Sequence, residues 1–540
     1  MGLRSRGDMV AIPQTRRQFL QAVGVTGGAG VLYSTMGALG LAPAHASPPF
    51  RAPRESDFTL TGRAHRSVLI LGAGIAGLAT AYELRKAGYK VRILEARKRP
   101  GGRNWTVRGG TVETDLDGHT QRARYAKGQY LNAGPARIAQ HMVTLDYCRE
   151  LGVPIEMFGN QNADGYYYNE GVGALSATPI RHRTAKADVY GYVSELLAKA
   201  TDQGALDGQL TSDDKERLLA FLRNFGSIGG RADGWKYTGS TRRGYLVDPG
   251  AGTEAGTPNL PPYALSDVLA SGVGQYFSFE FGWDQAMLMF QPVGGMDRIA
   301  YALEDAVGGE RITYGAEVRS ITDKGSGVEV VYTGPGGRLS VASADFCVCT
   351  IPPQVLVKIP SNLTPAVKDA LAYAQPVSTG KIGLQYGRRW WEEDDKIYSG
   401  ITNTNLDLST IWYPSYGYHG AKGIVVGYYN FGGNADAYSA LTPAERQARA
   451  IEQGVKIHGE KYRTELETAF SVAWRRTRYS EGGWVSWPSR TSGHYGRLLE
   501  PDGNVYFAGD HLSYYIAWQA GAFESARKVV TDLHTRVLSS

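Results

Sequence analysis

The stretch that most constrains what this chain can fold into is residues 66–103, RSVLILGAGIAGLATAYELRKAGYKVRILEARKRPGGR. An apolar run (Val68–Leu71) leads into a glycine loop (Gly72, Gly74, Gly77), a helical segment, a second apolar run and a carboxylate, Glu95. The order strand, turn, helix, strand, acid specifies a βαβ unit that binds a dinucleotide. Each glycine has its own task in such a unit. Gly72 permits a tight turn, Gly74 lets the backbone approach a pyrophosphate, and Gly77 lets helix and strand pack closely. Ile75 and Ala76 open the helix, whose free N–H groups and positive dipole end face the phosphates. Glu95 falls 21 residues after Gly74, where a carboxylate accepts hydrogen bonds from an adenosine ribose. A carboxylate at that position repels a 2′-phosphate and so disfavours NADP. In a chain with 69 glycines the pattern alone carries little weight; the βαβ context and the acid make it specific.

At 540 residues the chain exceeds a single core, so two or more domains are expected. The formal charge of +6 is no nucleic-acid footprint, because half of it comes from Arg4, Arg6, Arg16 and Arg17 against Asp8, and no basic run is interleaved with aromatics. Residues 1–46 read as a targeting segment: Thr15-Arg-Arg-Gln-Phe-Leu20 is a twin-arginine pattern ahead of an uncharged run, and Ala44-His-Ala46 is a small-x-small cleavage site. A cleaved signal of this kind implies a periplasmic or secreted protein. The alternative, a membrane anchor, fits poorly with the glycine-rich composition of the run. No other stretch is apolar enough to span a membrane. The three cysteines make no disulfide framework, and Cys347 and Cys349 alternate in a strand-like run that points both at one core face. No Cys/His cluster has zinc spacing, so no metal is expected.

Further along, residues 183–224 have helical character and residues 226–262, rich in Gly, Pro, Ser and Thr, read as a surface loop or linker. Strand signals return at 311–350 and 379–430, and the chain closes with a strand at 504–509 and a helix from Gln519. Nucleotide-type segments separated by other material imply interleaved domains.

Several segments carry a family resemblance. They are Glu95-Ala-Arg-Lys-Arg-Pro-Gly-Gly-Arg103, Gly134-Pro-Ala-Arg137, Thr379-Gly-Lys-Ile-Gly-Leu-Gln-Tyr-Gly-Arg-Arg-Trp-Trp391, Gly423-Ile-Val-Val-Gly-Tyr428 and the run Val505–Ala522. Over about residues 62–540 the chain resembles the flavin-dependent amine oxidases, and within them the bacterial L-amino-acid oxidases, least between 165 and 286. The resemblance implies an α/β fold: a Rossmann-like FAD-binding domain of the glutathione-reductase type, interleaved with an α+β substrate domain and a helical insertion. Residues 62–112, 287–375 and 488–540 would form the first, 113–165 and 376–487 the second, and 166–286 the insertion.

The implied cofactor is FAD. It is held without a covalent bond, since covalent-flavin relatives carry a Cys near the C-terminal motif and none lies beyond Cys349 here. The glycine loop, Glu95, Ala96, Arg97, Gly102, Arg103, Gly134, Pro135, Ala136, Val318, Gly509, Asp510, Trp518, Gln519 and Ala520 would contact it, with Asp510 on the ribityl chain. Arg137 would clamp the substrate α-carboxylate, a task suited to the guanidinium fork. It also borders the flavin. Tyr428 would add a second hydrogen bond to that carboxylate, with Tyr429 the neighbour that a one-residue slip would substitute. Lys381 would assist reoxidation by oxygen as a cation near the flavin. Trp518 would wall the pocket, and the Ala517 carbonyl would accept from the substrate amine. The expected reaction is oxidative deamination of an L-amino acid by dioxygen to a 2-oxo acid, ammonia and hydrogen peroxide. Alternatives are a monoamine or polyamine oxidase, an amino-acid 2-monooxygenase and a non-catalytic flavoprotein. A homodimer is expected from the resemblance alone. Nothing in the motifs selects a substrate side chain.

Overall fold

In the computed structural model, which describes residues 58–540, strand β1 (Ser67–Leu71) turns into helix α1 (Ile75–Lys86) and returns through β2 (Lys90–Glu95). The twin-arginine segment and its cleavage site lie outside the described residues. Gly72 adopts φ +107°, where a Cβ would be strained. A Cβ at Gly77 would overlap the Gly72 carbonyl oxygen, whereas one at Gly74 would meet nothing within 4 Å. The turn is therefore closed on its inner side and open on its outer side.

Three distant stretches complete the sheet. Strands β3 (Ile312–Tyr314), β4 (Phe346–Cys349) and β5 (Val505–Phe507) join in the order β3-β2-β1-β4-β5, every pair parallel. Both faces are covered, so the strands read as almost continuous apolar runs. Val68, Ile70, Ile93 and Val348 face a core shared with α1, helix α2 (Arg298–Val307) and helix α3 (Gln519–Ser539). Leu69, Leu71, Leu94, Cys347 and Cys349 face the other core, so the two cysteines share one face and remain free, buried thiols. Each such aliphatic side chain contributes about 1.5–3 kcal/mol on leaving water.

A second, seven-stranded sheet runs in the order Leu466–Ala473, Thr379–Tyr386, Gly423–Phe431, Thr410–Trp412, Ile401–Thr404, Tyr166–Tyr168, Ile180–Arg181. The Thr379–Tyr386 strand is buried along its whole length between two antiparallel neighbours. Opposite it, Ile382 faces Tyr428 and Gly383 faces Val426, so Gly427 is a bulge. The bulge reverses the alternation. Val425 and Tyr428 share an aromatic cluster with Tyr386, Trp390 and Tyr438, while Val426 and Tyr429 point to the other face.

Residues 183–274 form a compact unit of their own around helices His182–Asp202 and Ser212–Gly226. Two expectations change here. The insertion does not begin at 166, because Tyr167 pairs with Asn403 and draws residues 166–181 into the seven-stranded sheet. Nor is 226–262 merely a surface loop. Ile228, Trp235 and Tyr237 are buried with Leu219 and Leu222, and Arg243 makes a buried ion pair with Asp188 at 2.7 Å. Among the described residues no helix is long and apolar enough to cross a membrane.

The contrast between the two glycines can be measured. Gly77→Ala should destabilise the protein by about 1–3 kcal/mol through overpacking against the Gly72 carbonyl, whereas Gly74→Ala should leave the melting temperature of the ligand-free protein unchanged. Equal thermal melts for both variants would contradict this account of the turn.

Candidate functional site

The carboxyl ends of β1, β2 and β4 open onto a cavity of about 630 Å3, the usual place for a ligand in an open parallel sheet. At one end stand Gly72, Gly74, Ile75 and Ala76, the N-terminus of α1, which has no side-chain cap. Its first N–H groups are thus available to an anion. Glu95 is 3% exposed, and its two oxygens accept the backbone N–H groups of Ala73 and Arg97, both at 2.7 Å. These bonds fix the carboxylate while each oxygen keeps a further lone pair. Ala96, Arg97, Gly102, Arg103 and Val318 complete this end of the wall.

Toward the other end, Asp510 pairs with Arg103 and accepts the Ala517 N–H at 3.1 Å. Arg103 also donates to the Gly483 carbonyl at 2.7 Å. Helix α3 starts at Gln519, again without a side-chain cap. The Gln519 amide is 8% exposed and neither its Nε2 nor its Oε1 has a partner. Gly134, Pro135, Gly509, Ala517 and Trp518 line this end, with Ala517 held at φ +68°. Gly77, Ala136, Arg137 and Ala520 do not line the cavity: Gly77 packs on the turn, Ala136 and Ala520 are in the core, and Arg137 is held by Asn160 among Trp412, Phe279 and Trp518. Two uncapped helix N-termini, an unpartnered buried amide and open space over Gly74 fit an elongated dinucleotide.

Beside Trp518 lies a cationic cluster. Arg137 donates from Nη1 to Asn160 Oδ1 at 2.6 Å, and its Cζ sits 4.6 Å from the Trp412 ring, 5.2 Å from Phe279 and 5.9 Å from Trp518. No carboxylate among the described residues makes a direct ion pair with it. Burial pushes its pKa down to about 10, against the opposing influence of Tyr429 and Asp284. Lys381 projects from the Thr379–Tyr386 strand and donates to the carbonyls of Asn132, at 3.2 Å, and Gly134. It sits over the Tyr429 ring at 4.3 Å. Burial, then the nearby Arg137 charge, push its pKa down to about 7. Tyr429 is directly opposite Lys381 in the sheet register and lines the cavity; burial pushes its phenol up to about 12, while Arg137 pulls it back.

Tyr428, expected at the substrate, is turned away. It is fully buried with its ring 4.5 Å from Tyr438, and the bulge at Gly427 presents Tyr429 to the site instead. Sequence reasoning also passed over Asn160, Trp412 and Asp284, whose Oδ2 accepts the Trp518 Nε1–H at 2.7 Å. No short motif marks these three; strand pairing and chain folding bring them to Arg137 and Trp518.

Known proteins bear on this geometry. Residues 75–534 match the family described as flavin containing amine oxidoreductase. The L-amino-acid oxidase of Gloydius blomhoffii is 26% identical over 490 residues, covering 87% of this chain and 89% of the relative. The L-amino acid oxidase bordonein-L of Crotalus durissus terrificus is 26% identical over 490 residues, covering 87% of each. Among solved structures, cyclohexylamine oxidase from Brevibacterium oxydans IH-35A superposes with a TM-score of 0.58 at 19% identity, covering 88% of this chain and all of its own. Wild-type putrescine oxidase bound to putrescine gives 0.57 at 20% identity, with 88% and 100% covered. Likeness at those identities speaks to fold alone, and the fold is the Rossmann-like one built above. By the extent of the family match, the chain belongs to the flavin-containing amine oxidoreductases.

Proposed function

We propose that this protein is an FAD-dependent L-amino-acid oxidase, producing 2-oxo acids, ammonia and hydrogen peroxide. The observation that carries the reading is Arg137, a guanidinium enclosed by three aromatic rings and satisfied by one neutral acceptor. Its remaining donors suit a carboxylate, which it can bind bidentately. An amine or polyamine brings no anion, and its own positive charge would be repelled there. The relatives that bear the name L-amino-acid oxidase support the same choice. An amino-acid 2-monooxygenase shares the carboxylate, and its amide product distinguishes it.

In this reading the α1 N-terminus holds the FAD diphosphate, Glu95 the adenosine ribose, Asp510 the ribityl chain, and the α3 N-terminus with Gln519 the flavin ring. A flavin held there would supply the two-electron acceptor for the substrate Cα hydride and the route by which those electrons reach dioxygen, with water then hydrolysing the imino acid to the 2-oxo acid and ammonia. Arg137 and Tyr429 fix the carboxylate, so that one enantiomer alone presents its Cα hydrogen. Tyr429 replaces Tyr428 in that role. Trp518 walls the substrate and the Ala517 carbonyl accepts from its amine. Lys381 supplies a positive charge that stabilises negative charge gathering on oxygen as it is reduced. The reading takes the flavin to be held non-covalently, and the burial of Cys148, Cys347 and Cys349 in the cores, none of them lining the cavity, supports it. Export by the twin-arginine route to the periplasm or medium, and a homodimer, belong to the same proposal.

A peroxide assay with the twenty L-amino acids tests the reading; turnover of benzylamine or spermidine with no amino acid oxidised would sink it. Arg137→Ala should raise KM for amino acids by an amount on the order of 2–4 kcal/mol, the cost of losing one partner of a buried charged pair, and an unchanged KM would remove Arg137 from the site. Acid denaturation should release yellow FAD into a filtrate, whereas flavin retained by the chain would contradict non-covalent binding. Lys381 is cationic below its pKa of about 7 and neutral above it. The oxygen-dependent half-reaction should therefore slow as pH rises through neutrality, in stopped-flow mixing of reduced enzyme with oxygen. Arg137→Gln removes a neighbouring positive charge and should move that decline to higher pH.

A further inference from the structure

With an amino acid seated, its carboxylate neutralises Arg137, yet a second carboxylate stands close by. Asp284 is partly buried, and its Oδ2 accepts the Trp518 Nε1–H at 2.7 Å. Among the described residues no hydrogen bond or ion pair reaches its Oδ1. The Trp518 indole is a common wall for the two groups, because the Arg137 Cζ lies 5.9 Å from the same ring. The two also share a scaffold: Asn160, which holds Arg137 through Oδ1, contacts Gln285 Oε1 through Nδ2 at 3.4 Å. Arg137 and Asp284 thus both touch Trp518, the guanidinium near its ring and the carboxylate at its Nε1 edge.

We propose that Asp284 receives a cation at the far end of the substrate side chain, so that the preferred substrates are L-amino acids ending in an ammonium or guanidinium group. The inference rests on the L-amino-acid oxidase reading of the site. A substrate carboxylate on Arg137 directs its side chain along Trp518, where methylenes pack on the indole and a terminal cation reaches Asp284. The charge balance favours this choice. In the free protein Asp284 and Arg137 attract each other; a substrate carboxylate on Arg137 takes up that charge and leaves Asp284, partly buried against Trp518, without its positive neighbour. Leaving such a group unpaired is costly. An apolar side chain leaves it so, an acidic side chain adds a further negative charge, and a cationic one completes the pair.

The test compares L-lysine and L-arginine with L-norleucine, which matches lysine in length without the charge, using flavin-loaded enzyme and peroxide kinetics. The native protein should favour lysine or arginine over norleucine by at least about tenfold in kcat/KM, mostly through KM. Asp284→Asn keeps an acceptor for Trp518 Nε1 but loses the charge. It should cut kcat/KM for the cationic substrates by about tenfold or more through KM and raise it for norleucine. Asp284→Glu should retain the cationic preference, which separates loss of charge from loss of structure. A native preference for norleucine, or a lysine-to-norleucine ratio that Asp284→Asn leaves unchanged, would overturn the proposal while the oxidase reading stands. Turnover of amines with no amino acid oxidised would overturn both.

Discussion

Parallel pairing on both sides of β1 is the constraint on which the rest depends. Parallel strands cannot be joined by a tight hairpin, so each neighbour must arrive by a crossover. Here the partners of β1 are Lys90–Glu95 and Phe346–Cys349, and the outer strands come from residues 312–314 and 505–507. The chain must leave the sheet and return to it, and the seven-stranded sheet is built from what it does in between. The same pairing aligns the carboxyl ends of the strands, and the cavity lies at that edge. The uncapped ends of α1 and α3 meet there because one follows β1 and the other follows β5.

The second sheet contributes the electrostatics. Lys381 and Arg137 are two cations in a space enclosed by Trp412, Tyr429, Phe279 and Trp518; burial lowers the proton affinity of both, and the Arg137 charge lowers that of Lys381 further. Carbonyl acceptors from Asn132 and Gly134 and an amide oxygen from Asn160 offset part of the desolvation cost. Cation–π contact with the rings adds about 0.5–2 kcal/mol apiece. A site arranged in this way is stabilised by an arriving anion. An anion that neutralised Arg137 would make it easier for Lys381 to hold its proton, since the two charges share one local field.

Much of the glycine-loop end of the cavity was legible in the sequence. Gly72, Gly74 and Gly77 act through local backbone geometry, and Glu95 is positioned by the strand that carries it, so spacing along the chain was enough. The shared face of Cys347 and Cys349 followed from the two-residue period of a strand. Where the period fails, so did the reading. The bulge at Gly427 shifts the alternation by one and exchanges Tyr428 for Tyr429, and no residue type near it announces the shift. The strand at Tyr166–Tyr168 carries no signal of its own, because its pairing with residues 403–404 and 180–181 is what makes it one.

The sequence by itself therefore determined the βαβ nucleotide unit, the interleaving of its segments and the family, because these depend on short-range spacing and on motifs that survive at low identity. Tertiary structure alone decided which tyrosine meets the site, that residues 226–262 contribute to a core, and that Asn160, Trp412 and Asp284 gather around Arg137 and Trp518. Those outcomes depend on strand register and on contacts between residues distant along the chain, from Asn160 with Arg137, 23 positions apart, to Trp518 with Asp284, 234 apart. Such contacts leave no periodic trace in the chain that forms them.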